Sequence, residues 1–205
     1  MDGDRSPPKR IRLTGLQEAQ LLDLVEVERA SCQMYYDLGF DAAEVPARAP
    51  TDLVALTRDH DVRVAEADHV VAGIMAWRDE SPGVAYLADL SVHPDHQRFG
   101  VGTRLIEALW DDARDAGLAH AVVRVWQKAT WAKAFYAKLG FKPLSDDAPA
   151  KVLRWREERA ASGRPLTRPG EAVLWAAIPE KAPEPDDDEP TGDSPGSADP
   201  ERVAV

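Results

Sequence analysis

The sequence of 205 residues contains a single cysteine, Cys32, so an internal disulfide is excluded. It also lacks an apolar run of the ~20 residues that a membrane-spanning helix needs. Residues 1–10 are charged and have no apolar segment of the kind found in secretory signals. Taken together, these absences predict a cytoplasmic protein that makes no use of a membrane.

Basic residues are also scarce. Lysine and arginine number 25 against 36 aspartates and glutamates, which gives a formal net charge of −11. Nine of the acidic residues lie in residues 180–205, where only Lys181 and Arg202 oppose them, so the rest of the chain is mildly acidic. Because a nucleic-acid-binding protein presents a basic face, we expect no nucleic-acid partner.

Composition divides the chain into three parts. Residues 1–9 are polar and contain Pro7 and Pro8, and we expect them to be disordered. Residues 180–205 are rich in Pro, Asp, Glu, Ser and Gly, a composition that cannot bury enough apolar surface to offset the entropy cost of ordering. Residues 10–179 remain as one domain of ordinary size with room for a sizeable core.

Hydrophobic periodicity within this domain indicates a mixed α/β fold. Strands are predicted at Arg10–Leu13, Val62–Glu66, Val70–Trp77, Val84–Val92, Ala121–Trp126 and Ala172–Ile178. Helices are predicted at Leu16–Ala30, at Asp52–Arg58 with Thr51 as N-cap, from the glycine loop to Gly117, at Trp131–Leu139 and at Lys151–Ala161. The antiparallel strands come first, and a strand–helix–strand–helix half follows.

The stretch from Leu87 to Leu109 carries the clearest functional signal. A strand leads through Pro94 into a loop that contains Gly100 and Gly102, and an amphipathic helix follows at once. Glycines at a helix N-terminus leave backbone N–H groups accessible to an anion, which favours a phosphate-bearing ligand. The loop does not fit a Walker A motif, which needs Lys-Ser/Thr after its last glycine, or a dinucleotide fingerprint, which needs a third glycine.

The loop instead resembles the acyl-CoA-binding signature of the GNAT superfamily of N-acetyltransferases, Gln/Arg-x-x-Gly-x-Gly/Ala. Gln97, Gly100 and Gly102 match its fixed positions. The preceding Leu90–Pro94 and the later Phe135–Phe141 also resemble family segments and stand at the right spacing. The resemblance covers roughly residues 10–178. It implies a mixed, mostly antiparallel central sheet with a splayed strand pair, flanked by helices.

The resemblance further implies acetyl-CoA as cosubstrate and no metal. The pantetheine arm is then expected to pair with the backbones of Leu90, Ser91 and Val92 in the gap between the splayed strands. The glycine loop and the first helical turn are expected to bind the pyrophosphate, and the cofactor-binding residues there are Gln97, Arg98, Phe99, Gly100, Val101, Gly102 and Thr103. Arg98 replaces a common glycine, at no cost unless its φ is positive.

The reaction implied is direct transfer of an acetyl group to a primary amine in a ternary complex. Tyr136 is the expected proton donor to the leaving sulfur. The base is less well defined, because Ala88 stands where relatives carry a glutamate. Asp89 is the remaining catalytic candidate if the strand bulges, and a structural role for this carboxylate is an equal alternative.

Other parts of the sequence also bear on binding. Ala129 or Ala132 occupies the place of a family asparagine that bonds the pantetheine, which predicts weaker cofactor binding. Trp131 either packs against the pantetheine arm or fills the core, and the core is the favoured interpretation. The first two helices and residues 32–37 are expected to cover the acceptor, a small-molecule or peptide amine.

Two alternatives stay open, a non-catalytic acyl-CoA-binding module and an interaction protein that works through its acidic tail. The sequence also leaves open whether the protein forms a homodimer.

Overall fold

A seven-stranded sheet forms the centre of the protein in the computed structural model, which describes residues 7–81 and 83–181. Its strands are β1 (Ile11–Thr14), β2 (Asp61–Ala67), β3 (Val70–Ser81), β4 (Val84–Val92), β5 (His120–Trp126), β6 (Lys142–Pro143) and β7 (Glu171–Ala177). They lie in the order β1-β2-β3-β4-β5-β7-β6, and every neighbouring pair is antiparallel except β4 and β5. The predicted mixed, mostly antiparallel sheet is confirmed.

Five α-helices flank the sheet among the residues described. They are α1 (Leu21–Tyr36), α2 (Pro50–Asp59), α3 (Val101–Asp115), α4 (Thr130–Lys138) and α5 (Ala150–Ala161). Helices α3 and α4 pack on one face through a core that contains Leu105, Leu109 and Tyr136. Helices α1, α2 and α5 pack on the other face, in two separate apolar clusters. None of these helices is long and apolar enough to cross a bilayer.

The antiparallel meander follows from its turn residues. Asp68 and His69 both adopt positive φ, 49° and 72°, between β2 and β3. This two-residue turn matches the right-handed twist of the strands that it joins. Asp68 also accepts hydrogen bonds from the backbone N–H groups of Lys9 and Arg10 at 3.0 Å, which holds the start of β1 against the turn.

Strands β4 and β5 separate partway along their length. They pair in parallel from Val84 to Leu87 opposite His120 to Val123, and the pairing stops there. Strand β4 continues to Val92 and β5 to Trp126, so the last part of each strand has a free edge facing the other. The predicted splayed strand pair is therefore present in the sheet.

A bulge lies where this separation begins. Ala76 pairs with Asp89 and Trp77 with Leu87, so Ala88 is an extra residue in β4 without a partner in β3. A bulge of this kind changes the face toward which the following side chains point. A catalytic role for Asp89 was predicted only if β4 bulges, and this bulge is present.

Several element boundaries differ from those predicted. Thr51 does not cap α2: the helix begins at Pro50, whose fixed φ suits a first helical position, and Ala49 is the N-cap. Residues 18–20 form a short 3-10 turn before α1, which then runs to Tyr36 instead of ending at residue 30. The two-residue strand β6 was not predicted, because a strand so short has no periodicity. Residues 1–6 of the predicted N-terminal segment and 182–205 of the predicted tail lie outside the described residues.

Candidate active site at the separation of two strands

A cavity of about 1200 Å³ lies where β4 and β5 separate. Helix α1, the loop before α2, the start of α3 and helix α4 complete its walls. Ten of the twelve predicted site residues line it, namely Asp89, Leu90, Ser91, Val92, Gln97, Arg98, Gly100, Gly102, Thr103 and Tyr136. The structure thus brings together in one space Gly100 of the glycine loop and Tyr136 of α4, which are 36 residues apart in sequence.

Two predicted cofactor-binding side chains lie elsewhere. Phe99 lines a separate shallow hollow together with Asp68 and Val70. Val101 is 1% exposed and belongs to the core beneath α3. Only the backbone groups of these two residues therefore remain available to a ligand in the cavity.

The start of α3 has the geometry of an anion cradle. Gly100 is the N-cap and has φ +88°, a left-handed conformation that glycine adopts without steric cost. The first helical hydrogen bond runs from Arg104 N to Gly100 O at 2.8 Å. The N–H groups of Val101, Gly102 and Thr103 therefore have no acceptor within the helix, and they point toward any anion at its end.

Gly102 is required by close packing. A Cβ atom at this position would lie 3.2 Å from Phe135 Cζ on α4 and 3.7 Å from Val92 Cγ2. The absence of a side chain at residue 102 lets α3 and α4 approach each other beside the end of β4. Because Tyr136 follows Phe135 on α4, this contact also sets the position of Tyr136 relative to the anion cradle.

Arg98 has φ +66°, so it occupies the left-handed region that its side chain disfavours. Arginine in place of glycine was expected to be unfavourable only at positive φ, and the structure shows a positive φ at residue 98. Arg98 lines the cavity at the end where the cradle lies. Its guanidinium can interact with a phosphate there, because arginine presents several donors in a planar fork.

Gln97 holds the loop against β4. Its side-chain amide donates to Val92 O at 3.0 Å and contacts Met34 Sδ at 3.1 Å. The Ser31 hydroxyl donates to the same Val92 carbonyl at 3.1 Å. On the opposite edge of the strand, His93 N donates to Ala72 O at 2.9 Å. Since backbone groups alternate between the two edges of a strand, Val92 faces the free edge.

Tyr136 is 7% exposed and lies in the cavity wall on α4. Its ring makes an edge contact with Phe141, with ring centroids 5.2 Å apart. Gly140, at φ +86°, ends the helix and allows the chain to turn back at Phe141. Burial, with smaller effects from Tyr35 and Asp89, raises the pKa of the Tyr136 hydroxyl far above its usual value. Tyr136 therefore keeps its proton and is neutral over the physiological pH range.

Asp89 also lines the cavity, as one part of a three-residue ionic cluster. Arg48 Nη1 donates to Asp89 Oδ2 at 2.8 Å and to Glu28 Oε2 at 3.0 Å. The Ser91 hydroxyl donates to Asp89 Oδ1 at 3.4 Å. Arg48 comes from the loop before α2, Glu28 from α1 and Asp89 from β4, so one guanidinium bridges two carboxyl groups from different elements.

Glu28 has the less usual environment of the two acids. Its side chain is 3% exposed, and among the described residues its Oε1 has no hydrogen-bond partner. Burial first, and then repulsion from Asp89, raise the pKa of Glu28 to about 7, while Arg48 and Ser91 oppose the rise. A carboxyl group with a pKa near neutrality exchanges its proton readily at physiological pH.

The helical periodicity of α1 could have identified Glu28 as a buried residue from the sequence alone. Leu24, Val27, Ser31 and Cys32 are the other buried positions of α1, and Glu28 lies on the stripe that they form. A charged residue on such a stripe needs a partner or a function. Arg48 gave no comparable signal, because residues 37–49 contain neither helix nor strand.

The aromatic residues near the opening differ from expectation. Trp131 is not a core residue: it is 39% exposed and lines the cavity. It makes an edge contact with Tyr35, with ring centroids 5.2 Å apart. Tyr36 and Asp37 do not line the cavity, since Tyr36 donates to Val45 O and Asp37 accepts from Gln33. Of the two alanines in the expected asparagine positions, Ala132 lines the cavity and Ala129 is fully buried.

The cavity thus combines three chemical features. They are the free backbone N–H groups at the start of α3 together with Arg98, the neutral Tyr136 hydroxyl, and the carboxyl groups of Glu28 and Asp89. Within residues 7–81 and 83–181, no group of three or more His, Cys, Asp or Glu side chains is arranged to hold a metal ion.

A sequence model of the family described as "Acetyltransferase (GNAT) family" matches residues 21–141. A comparison with curated protein sequences gives no significant match.

Solved structures resemble the chain in fold. The PaiA N-acetyltransferase from Thermoplasma acidophilum in complex with coenzyme A superposes with a TM-score of 0.65 and 17% identity, over 82% of this chain and 99% of that one. The ribosomal-protein-S18-alanine N-acetyltransferase from Escherichia coli has a TM-score of 0.59 and 16% sequence identity, over 85% of this chain and 97% of that one. N-acetylglutamate synthase from Neisseria gonorrhoeae, complexed with coenzyme A and N-acetyl-glutamate, has a TM-score of 0.56 and 19% sequence identity, over 83% of this chain and 36% of that one.

Proposed function

The chain belongs to the GNAT family of acetyltransferases, and we propose that it is an N-acetyltransferase, which transfers an acetyl group from acetyl-CoA to a primary amine. The observation that carries this proposal is the single cavity between β4 and β5. It joins the anion cradle of α3 to the Tyr136 hydroxyl and to the carboxyl groups of Asp89 and Glu28.

In this proposal the cradle binds the pyrophosphate of acetyl-CoA. The N–H groups of Val101, Gly102 and Thr103 supply donors, and the partial positive charge of the helix end favours the anion. Gly100 provides the turn, and the absence of a side chain there leaves space, because a Cβ atom would meet nothing within 4 Å. The CoA complexes of the Thermoplasma and Neisseria proteins support this assignment.

The pantetheine arm is assigned to the free edge of β4. Since Val92 faces that edge, strand alternation places the backbone groups of Leu90 there too, and those of Ser91 face β3. The Val92 carbonyl already accepts two hydrogen bonds, from Ser31 and Gln97. We therefore assign the first pantetheine contacts to Leu90, and to Ser91 only a side-chain contact from the cavity wall.

Tyr136 acts as general acid in this reaction. The amine nitrogen attacks the thioester carbonyl, the C–N bond forms and the C–S bond breaks. Tyr136 gives its proton to the departing sulfur, and a proton of the attacking nitrogen restores the tyrosine. Asp89 is held by Arg48 and by Ser91, and it contributes negative charge on the side of the cavity from which a cationic amine approaches.

The proposal is tested by the release of free thiol from acetyl-CoA in the presence of a panel of amines, with cofactor binding measured separately by calorimetry. We expect binding and amine-dependent thiol release. The variant is Gly100→Glu, whose carboxylate enters the cradle and should abolish cofactor binding, and Gly100→Ala is its control because it adds the same strain at φ +88° without the charge. Binding of acetyl-CoA without turnover on any amine would contradict transferase activity.

A non-catalytic acyl-CoA-binding module is the second candidate. It is favoured by the alanines at residues 88, 129 and 132, which leave the site without a glutamate on β4 and without an asparagine near α4. The same two measurements separate the candidates, since a binding module takes up acetyl-CoA and releases no thiol. An interaction protein that works through its acidic tail would lose its partner when residues 180–205 are deleted, whereas a transferase keeps its activity.

The proposed acceptor is a small molecule or a peptide amine, and the proposed setting is cytoplasmic, with no nucleic-acid or membrane partner. The Escherichia coli protein acts on an alanine of ribosomal protein S18, and the Neisseria protein was solved with N-acetyl-glutamate. Relatives in fold thus differ widely in acceptor, so the acceptor has to be derived from the cavity itself.

A further inference from the structure

Arg124 lies at the point where β4 and β5 separate. It follows Val123, the last residue of β5 that pairs with β4. Val123 and Val125 belong to the same core cluster as Tyr136. Because the side chains of a strand alternate between its two faces, Arg124 lines the cavity from the opposite face, on which α1 and α5 pack.

The guanidinium of Arg124 has donors without acceptors. Its Nε donates to the Tyr86 hydroxyl at 2.8 Å, and its Nη1 lies 3.6 Å from Glu171 Oε2, beyond hydrogen-bond distance. Neither Nη1 nor Nη2 donates a hydrogen bond to the residues that the structure describes. The side chain is 26% exposed, and neither nitrogen is among the buried polar atoms that lack a partner. A ligand in the cavity can therefore reach these donors.

The charge of Arg124 is not compensated by Glu171, because that carboxylate is already bound by Arg168. Glu171 Oε1 accepts two hydrogen bonds from the Arg168 guanidinium at 2.8 and 2.9 Å, and Oε2 accepts from Arg168 N at 2.8 Å. No other carboxylate of the described residues lies within 4 Å of the Arg124 guanidinium. Two arginines thus share one carboxylate, and a partly buried cation without its own partner is costly until an anion binds it.

Ala88 leaves space beside Arg124. Leu87 pairs with Val123, so Ala88 and Arg124 are the next residues on the two strands, where the pairing has stopped. Ala88 packs against the cluster that contains Tyr86, which places it on the same face as Arg124, and it also lines the cavity. A methyl group at this position brings no charge and little volume. The position next to the guanidinium is therefore open to an anionic group of a ligand.

The wall beyond Arg124 is closed by an aromatic stack. Trp126 follows on the same face of β5, with the Phe40 ring centroid 4.7 Å away and the Arg168 guanidinium 4.8 Å from its ring centroid. Arg168 Nη1 also donates to Glu44 O at 3.2 Å, which joins the segment before β7 to the loop of residues 37–49. Because these two segments are in contact, the space beside Arg124 suits a small molecule better than a polypeptide.

We propose that the acceptor is a free amino acid, and that Arg124 Nη1 and Nη2 bind its carboxylate. This proposal rests on the transferase activity proposed above and names the acceptor class for it. A guanidinium forms two parallel hydrogen bonds with a carboxylate, which fixes its orientation as well as its charge. Arg124 determines specificity in this proposal and takes no part in proton transfer.

A carboxylate on the acyl group would offer the same chemistry to Arg124. The face of β5 argues for the acceptor instead. The proposed function places the thioester sulfur beside Tyr136, which shares a core cluster with Val123 and Val125, and Arg124 lies on the other face of the strand. The experiment includes a comparison of two acyl donors that distinguishes these sources.

The test uses the full-length protein, acetyl-CoA, and a panel of α-amino acids and short ω-amino acids, each paired with its own carboxamide. The two members of a pair differ only in the charge of the carboxyl group, and the amide of an α-amino acid also represents the first residue of a peptide. At pH 8 we expect kcat/KM for the preferred free acid to exceed that of its amide at least 20-fold. Without recognition the amide would react faster, because a neighbouring carboxylate keeps the amine protonated.

Arg124→Gln removes the charge and keeps a side chain that can bond with the Tyr86 hydroxyl. We expect it to lower kcat/KM for the free acid about 50-fold, chiefly through KM, and to change kcat/KM for the amide less than threefold. Arg124→Lys keeps the charge without the planar fork, so its loss should be smaller, about fivefold. Affinity for acetyl-CoA, measured by calorimetry, should stay unchanged in both variants.

Arg78→Gln is the matched control. The Arg78 guanidinium lies 5.5 Å from the centroid of the Tyr86 ring, compared with 5.8 Å for Arg124, and its side chain has a similar exposure of 28%. Arg78 pairs with Glu80 and does not line the cavity. The control should therefore keep the wild-type preference for the free acid over the amide.

Each outcome supports or overturns the assignment. Acetylation of amines with no preference for the free acid, or an Arg124→Gln variant that keeps the preference, would overturn it and leave the transferase intact. A wild type that prefers succinyl-CoA to acetyl-CoA, and loses this preference in Arg124→Gln, would assign the carboxylate to the acyl group and overturn it too. Binding of acetyl-CoA without acetylation of any acceptor would contradict the transferase itself. If Arg124→Gln does not fold, the wild-type ratio of acid to amide and the Arg124→Lys variant decide.

Discussion

Arg48 Nη1 donates a hydrogen bond to Asp89 Oδ2 at 2.8 Å, and this contact joins the loop of residues 37–49 to the end of β4. The same nitrogen reaches Glu28 on α1. One guanidinium therefore holds together three segments of the cavity wall, from α1, β4 and the loop before α2. The carboxylate that the sequence suggested as a base is largely committed to this contact, and the neighbouring Glu28 has the free oxygen.

Tyr136→Phe should lower kcat at least tenfold and leave the affinity for acetyl-CoA nearly unchanged. The ring and its contact with Phe141 remain, and only the hydroxyl that we propose as the proton donor is lost. A tenfold loss corresponds to ~1.4 kcal/mol of transition-state stabilisation. Steady-state kinetics and calorimetry check both parts. Tyr36→Phe is the control, because it removes a tyrosine hydroxyl outside the cavity wall and should leave kcat unchanged. A Tyr136→Phe enzyme with the wild-type kcat would exclude Tyr136 as the acid.

Glu28→Gln should raise the melting temperature at pH 8 by several degrees. In the folded chain the pKa of Glu28 is raised from 4.5 to about 7, first by burial and then by Asp89. The folded state therefore holds a proton that the unfolded state has released between these pH values, and stability falls as pH rises through that window. The gain should vanish below pH 4.5, where both states carry the proton. Melting curves from pH 4 to 8 test this, and a gain that does not change with pH would contradict it.

Glu80→Ala should lower the stability of the fold at neutral pH, whereas Glu28→Gln should raise it, and it should not affect catalysis. Glu80 accepts from Trp155 Nε1 at 3.1 Å and from Arg159 Nη1 at 2.6 Å. Burial alone would raise its pKa, but Arg78, Trp155 and Arg159 together lower it. Its stabilisation is thus present at neutral pH and is lost as pH falls below about 4.5.

Removing Glu80 leaves the buried Arg159 with its bond to Pro165 O but without its carboxylate partner, and we expect a loss of about 3 kcal/mol in the free energy of unfolding at pH 7. Denaturant titration measures it. Glu157→Ala, on an exposed position of α5, is the control and should change stability by less than about 0.5 kcal/mol. A wild-type stability for Glu80→Ala would show that the cluster contributes nothing.

Arg98→Gly should stabilise the fold and weaken cofactor binding at the same time. Arg98 holds φ +66°, a conformation that costs a side chain about 1 kcal/mol or more and glycine almost nothing. Part of the gain is offset by the greater freedom of glycine in the unfolded chain, which leaves about 0.5 kcal/mol. Loss of a guanidinium–phosphate contact should weaken acetyl-CoA binding about tenfold.

Arg98→Ala separates these two effects. It removes the guanidinium but keeps a side chain at positive φ, so it should weaken binding equally without stabilising the fold. Calorimetry and melting temperatures of the two variants provide the comparison. If both variants bind acetyl-CoA like the wild type, Arg98 makes no phosphate contact.

The elements around the glycine loop could be predicted from sequence because their signals are local. Strand β4 was predicted with its observed bounds, since its apolar run ends at a proline-containing segment. The family resemblance is confirmed by the family model, and it rested on Gln97, Gly100, Gly102 and the segment around Tyr136. Helix caps were less predictable. Thr51 was chosen by residue type, whereas Pro50 fixed the actual start of α2.

The sequence by itself determined the α/β architecture, the cradle at the start of α3 and the spacing that brings in α4, because turn chemistry and periodicity act between near neighbours. Only the tertiary structure decided the acceptor side. Arg48 meets Glu28 and Asp89 across 20 and 41 residues of chain, and Trp131 is exposed at the opening instead of buried. Burial and the distance between charges set the pKa of Glu28, and both exist only once the sheet separates and α1 packs against it.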